Sequence, residues 1–230
     1  MMFLDFLFPK YCVSCRKIGS YVCADCFAHL SFSQKTMCFL CGKYAIDGLT
    51  HPMCDKNSLD GCFIALEYTA VAKKLIYVSK YKPYVHAVSE VMSELFYEGL
   101  IQKEALMRLL ATENNRILMP IPLHAKKQRS RGYNHAAILG KEVAKKLHMT
   151  FVDTLIRVKE TRVQFGLTKE ERKKNMKDVF AIKNEKNSKD VIVFLIDDIV
   201  TTGVTFVEAA KVLKKAGAKK VYGLAFAGEN

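Results

Sequence analysis

Residues 191–206 read VIVFLIDDIVTTGVTF, and the architecture of the chain can be worked out from them. Val191 to Ile196 are all apolar and mostly β-branched, the composition of a central parallel strand covered on both faces. Asp197 and Asp198 are expected to end that strand, and in open α/β sheets ligands bind outside the carboxyl ends of strands. The turn Thr201-Thr202-Gly203-Val204-Thr205 follows. From about Val204, residues Phe206, Val207, Ala210, Val212, Leu213 and Ala216 recur at helical spacing, and Gly217 stops the helix.

A turn that opens a helix presents unpaired backbone N–H groups and the positive end of the helix dipole, which suits a phosphate. The hydroxyls of Thr201, Thr202 and Thr205 add donors, and Gly203 lets the backbone approach closely. Two adjacent carboxylates accept hydrogen bonds from a vicinal diol, or reach a magnesium ion through water. Each piece alone is an ordinary Asp-Asp turn with threonine capping. In this order they point to a phosphorylated ribose.

The segment resembles the PRPP-binding motif of type I phosphoribosyltransferases at every position of that motif. The resemblance implies that Asp197 and Asp198 hold the ribose 2- and 3-hydroxyls and that Thr201, Thr202, Gly203 and Thr205 hold the 5-phosphate. Cysteine knuckles upstream narrow it to the ComF family of competence proteins. Two further stretches match that family's pattern: Pro120-Ile121-Pro122-Leu123-His124 leading into Arg131-Gly132-Tyr133-Asn134, and Thr161-Arg162-Val163-Gln164 followed by Leu167, Glu171-Arg172 and Asn175.

All eight cysteines fall before residue 63, and six form the pairs Cys12/Cys15, Cys23/Cys26 and Cys38/Cys41. The start MMFLDFLFPK lacks a basic segment and is broken by Asp5, and no stretch approaches the roughly 20 apolar residues of a membrane span. A cytoplasmic protein is therefore expected, and in a reducing compartment CxxC pairs read as metal knuckles. Cys12, Cys15, Cys23 and Cys26 can complete one tetrahedral zinc site. A second would use Cys38 and Cys41 with Cys54. The family pattern would place another cysteine at position 57, where this chain has Asn57, so His51 is the candidate fourth ligand. A crossed pairing of the first and third knuckles stays open on spacing alone. Cys62, in an apolar run, reads as core. Some 60 residues with few large apolar side chains need bound zinc to fold.

These features divide the chain into a zinc-ribbon module over 1–60 and a phosphoribosyltransferase-like α/β domain over 61–230, a parallel sheet flanked by helices. Strands are expected at 62–68, 116–119, 151–158, 191–196 and 221–226, and helices at 71–80, 85–100 and 134–147. The charged segment 164–189 reads as a lid or binding loop. No sequence repeat is evident.

Net charge is +13, and residues 124–190 carry 18 Lys/Arg against 8 Asp/Glu, a surface for polyanions or a solvated loop. Arg131 and Lys127 lie where the phosphoribosyltransferase pattern has its pyrophosphate loop, since a guanidinium binds phosphate oxygens bidentately. Arg131, Arg172, Lys173 and Lys174 are the nucleic-acid candidates, with Tyr133 and Phe165 as stacking or core residues. Nothing names an acceptor or a catalytic residue. The resemblance implies handling of single-stranded DNA during natural transformation; an active phosphoribosyltransferase is the other reading, and the two are compatible. The cofactors expected are zinc, and magnesium with PRPP. The ribbon can recruit other competence or DNA-processing proteins. The apolar start Phe3, Leu4, Phe6, Leu7 and Phe8 is read as docking on the ribbon, with a partner or the inner membrane surface as the alternatives.

Overall fold

The computed structural model describes residues 9–32, 36–80, 85–161, 168, 171, 174–183 and 188–229. The apolar start, Arg162 to Leu167, Arg172 and Lys173 lie outside the described residues.

The run from Val191 forms the middle of a five-stranded, all-parallel sheet. In chain order its strands are β1 (Gly61–Glu67), β2 (Arg116–Pro120), β3 (Thr150–Phe151), β6 (Ile192–Val200) and β7 (Lys220–Gly228), and in space the order is β1-β7-β6-β2-β3. A strand flanked on both sides needs apolar residues in both pleat directions, which is why this run does not alternate. Ile192, Phe194 and Ile196 enter one core layer, and Val191, Val193 and Leu195 the other. The first layer is closed by α2 (Ala70–Ser79), α3 (Val85–Ile101), α4 (Glu104–Thr112) and α6 (His135–Lys146). The second is closed by α7 (Val204–Lys215) and an antiparallel hairpin of β4 (Leu155–Arg157) and β5 (Phe180–Ile182). Phe194 stacks on Tyr222 with ring centroids 5.5 Å apart, and each such side chain fully buried contributes about 1.5–3 kcal/mol.

Helix ends follow local chemistry. Thr69 caps α2 by accepting from the Ala72 amide, and Asn134 caps α6 by accepting from that of Ala136. A short helix α5 (Ala125–Arg131) runs through the basic stretch and ends at Gly132, whose φ of 86° is left-handed.

The cysteine-rich segment builds two knuckles of the same form, one closed by the Tyr11–Ile18 bridge and the other by Met37–Tyr44. In each, the first cysteine amide donates to the carbonyl five residues on, at 2.8 Å for Cys12 and 2.9 Å for Cys38. Cys23 is the N-cap of the short helix α1 (Ala24–Phe27), and Cys26 lies within it. The module lies against the outer edge of β1. Leu49 bridges Gly61, and the Glu67 amide donates to the Ser31 carbonyl at 2.9 Å, so the exposed edge of the sheet is covered. Cys12, Cys23 and Cys26 join the first core layer, and Phe39 packs on the second.

Three expectations are corrected. Asp197 and Asp198 do not end the strand. β7 runs on to Gly228, and its ladder carries β6 through Val200, while pairing with β2 stops at Pro120 opposite Ile196. The expected strand 151–158 is two pieces: β3 joins the main sheet and β4 turns away at Asp153-Thr154 to pair with β5. The segment 164–189 is not wholly a loop, because Met176, Val179 and Phe180 are buried in the second core layer. Helices α4 and α5 were not expected at all. Among the described residues no helix is long and apolar enough to cross a membrane.

Candidate functional site

The first knuckle brings the ligand atoms of Cys12, Cys15, Cys23 and Cys26 within 4.8 Å of one another, and the second does the same for Cys38, Cys41, His51 and Cys54. Sequential pairing is therefore the arrangement present, not the crossed one. Tetrahedral thiolates around zinc stand ~3.8 Å apart for a Zn–S distance of ~2.3 Å. Here Cys15 and Cys23 sulfurs are 3.5 Å apart and those of Cys38 and Cys54 3.8 Å. His51 Nδ1 lies 3.2 Å from Cys41 Sγ, and its Nε2 sits 2.9 Å from the Tyr44 carbonyl. A carbonyl accepts only, so Nε2 keeps the proton and Nδ1 is left free for a metal. At position 57 the backbone N–H donates to Asp55 Oδ1 at 2.9 Å, and the four-member cluster is complete without Asn57. Both donor sets fit zinc, one with four thiolates and the other with three thiolates and an imidazole.

The second feature is a cleft of about 790 Å³ at the carboxyl end of the sheet. It opens where β2 leaves β6. Pro120 is the last paired residue, and Ile121-Pro122-Leu123 diverges toward α5. Asn134 pins that exit, donating from Nδ2 to the Ile121 carbonyl at 3.0 Å while its Oδ1 caps α6. Asp197 and Asp198 form the floor. Thr201, Thr202, Gly203, Val204 and Thr205 form one wall, with Gly203 at φ 70° opening α7. Lys126 and Lys127 of α5, Lys80 at the end of α2, Arg157 of β4 and His135 of α6 are also in the lining.

The two acids are electrostatically unlike. Burial and then the neighbouring Asp198 charge push Asp197 up to about 8. Burial also works against Asp198, but His135 and Lys80 outweigh it and hold that carboxyl well below the usual carboxylate range. Lys80 Nζ forms an ion pair with Asp198 Oδ2, and His135 Nε2 stands 2.9 Å from the same oxygen. Oδ2 of Asp198 is thus held between two basic groups inside the cleft. Arg131 Nη1 lies 2.8 Å from His135 Nδ1. A chain of contacts thus runs Arg131, His135, Asp198, Lys80.

The structure gathers all six residues of the Asp-Asp and threonine set, together with Lys127, around one cleft. Arg131 is one layer behind it, on His135. Tyr133 is tied by its hydroxyl to the Ser79 carbonyl at 3.2 Å, a packing role. Lys174 is exposed, outside the cleft lining. Sequence reasoning missed His135, Lys80 and Arg157. His135 directly follows the matching RGxN string and was within reach, whereas Lys80 and Arg157 are distant in sequence with no motif. Desolvation and the like charges of Arg131, Lys80 and Arg157 lower the pKa of Lys127. An incoming anion would relieve that repulsion.

Comparison with known proteins adds to this geometry. Residues 3–58 match the model of the double zinc ribbon domain, and residues 134–227 that of the phosphoribosyl transferase domain. The chain is 37% identical over 112 residues to competence protein F of Haemophilus influenzae, a match covering 47% of this chain and 49% of that protein. It thus spans about half the length of that relative. It is 25% identical over 227 residues to the DNA utilization protein YhgH of Escherichia coli K12, covering 93% of this chain and 94% of that one. The Salmonella typhimurium YhgH is 27% identical over 218 residues, covering 87% of this chain and 93% of that one. The paired knuckles, the acid-and-threonine cleft and these matches together describe a chain in which a double zinc ribbon precedes a phosphoribosyl transferase domain, similar to competence protein F and to the YhgH DNA utilization proteins.

Proposed function

We propose that the protein binds PRPP in the cleft and handles single-stranded DNA in the cytoplasm during natural transformation. The observation that carries the first half is the meeting of Asp197 and Asp198 with the Gly203 helix start across the gap where β2 departs. A ribose diol reaches the acids while a 5-phosphate meets the first-turn amides of α7 and the hydroxyls of Thr201, Thr202 and Thr205. Lys127 takes the pyrophosphate, and Arg131 supports it through His135. Asp197 and Asp198 are the residues that would reach a magnesium ion through water; the ion would neutralise phosphate charge.

The DNA half is supported by the names of the relatives, competence protein F and DNA utilization protein, and by the excess of cations over residues 124–190. Lys174 is exposed beyond the cleft, and Arg172 and Lys173 are its neighbours in sequence. The ribbon, close to neutral, suits protein recruitment. Replacing Asp197 and Asp198 by alanine tests the whole reading: PRPP binding and transformation frequency should fall together. Normal transformation by a variant that no longer binds PRPP would detach the site from DNA uptake.

A second reading, an active phosphoribosyltransferase, is favoured by one observation. The cleft carries Lys80, Lys127 and Arg157 in its lining, cations that would hold a leaving pyrophosphate. Release of pyrophosphate from PRPP with a base, amine or DNA acceptor would establish it. Binding of PRPP with no release would leave the binding role alone.

A further inference from the structure

Phe39 sits between two ligands of the second cluster, Cys38 and Cys41, yet its ring lies in the other module, on the phosphate loop. It packs on the core layer that contains Val200, Val204 and Phe206. A β-carbon at Gly203 would lie 2.7 Å from Cγ and 2.8 Å from Cβ of Phe39, and closer still to Cδ1. Gly203 is thus required twice, by its φ of 70° and by the aromatic ring against its back. No side chain caps α7. The knuckle is stiff. Cys38 is fully buried, its amide donates to the Lys43 carbonyl at 2.9 Å, and the Gly42 amide returns to the Cys38 carbonyl at 2.8 Å.

We propose that the second metal cluster is the back wall of the phosphate loop, with Phe39 as the positioning residue that holds Gly203 in its left-handed turn. Metal bound by Cys38, Cys41, His51 and Cys54 fixes Cys38 and Cys41, which bracket Phe39-Leu40. The ring then keeps water from the rear of the loop and keeps the first-turn amides of α7 aimed into the cleft. Metal occupancy at this cluster therefore sets the affinity of the cleft for a phosphate ester, although no ligand of the metal touches that ester. The ligand half of this coupling rests on the PRPP reading given above; the loop half does not.

The test uses the full-length, zinc-loaded protein and three variants, Phe39→Ala, Phe39→Leu and His51→Ala. Two readouts are taken: affinity for PRPP with magnesium, and hydrogen exchange of the Val207 amide, which donates to the Gly203 carbonyl at 3.0 Å, in the ligand-free protein. Freeing one backbone residue that must be reordered on binding sets the scale at about tenfold. Phe39→Ala should weaken PRPP binding about tenfold and speed Val207 exchange while zinc content stays at that of the wild type. Phe39→Leu should restore most of both, and His51→Ala should reproduce the alanine result as one zinc is lost. Unchanged Val207 exchange in Phe39→Ala overturns the proposal. If that variant does not fold, unchanged exchange in His51→Ala overturns it instead. Failure of the wild type to bind PRPP would count against the PRPP reading, and the exchange data would still decide the coupling.

Discussion

Replacing Asp197 by asparagine probes the electrostatics of the cleft without changing its shape. Burial, reinforced by the Asp198 charge, raises Asp197 from the ordinary value of 3.8 to about 8. Between those values the folded protein holds a proton that the unfolded chain releases. The stability contributed by Asp197 is therefore fully present below pH 3.8 and is lost as pH rises toward about 8. The slope is about 1.4 kcal/mol per pH unit, so going from pH 5 to pH 7 costs the wild type about 3 kcal/mol through this group. Asp198 is shifted in the opposite direction; its contribution is complete above the unfolded value and does not vary across this window. Asparagine cannot titrate. Urea unfolding of both proteins at pH 5 and pH 7 should show the variant gaining about 3 kcal/mol on the wild type between the two, because titrations common to both cancel in the difference. A difference that is the same at both pH values would refute the reasoning.

Other consequences can be measured separately. His51→Ala should lower bound zinc from two equivalents to one by metal analysis, whereas Asn57→Cys should leave it unaltered, since Cys38, Cys41, His51 and Cys54 already supply four ligand atoms. The double variant Lys173→Glu, Lys174→Glu should reduce the slope of log affinity for single-stranded DNA against log salt by about 1.4, at about 0.7 for each phosphate that is no longer neutralised. Gly99→Ala places a β-carbon 2.7 Å from both Cα and Cβ of Ala65, where α3 crosses β1. It should cost about 1–3 kcal/mol by denaturant unfolding.

Strands that carry the sheet were legible because burial on both faces demands unbroken apolar runs, as at Val191 to Ile196 and Val221 to Phe226. The Asp-Asp and threonine set was legible because its chemistry is contiguous. Helix α5 was not, because AKKQRSR has no apolar period; it is exposed apart from half-buried Arg131 and ends only through Gly132. The persistence of β6 through the two acids could not be read from β6 itself, since it depends on how far β7 extends beside it. Likewise the contact of Lys80 with Asp198 joins residues far apart in sequence that only the sheet order brings together. Placement of Phe39 on Gly203 has the same origin. Spacing showed two candidate metal knuckles but not which face of the sheet each would cover.

The central claim is that Asp197, Asp198 and the Thr201–Thr205 turn form one PRPP site. Calorimetric titration of PRPP with magnesium into the wild-type protein, and into the Asp197→Ala, Asp198→Ala double variant, tests it most directly. Saturable binding of one PRPP per chain is expected for the wild type, and none for the variant while its fold and zinc content are kept. Equal binding by both proteins, or none by the wild type, would contradict it.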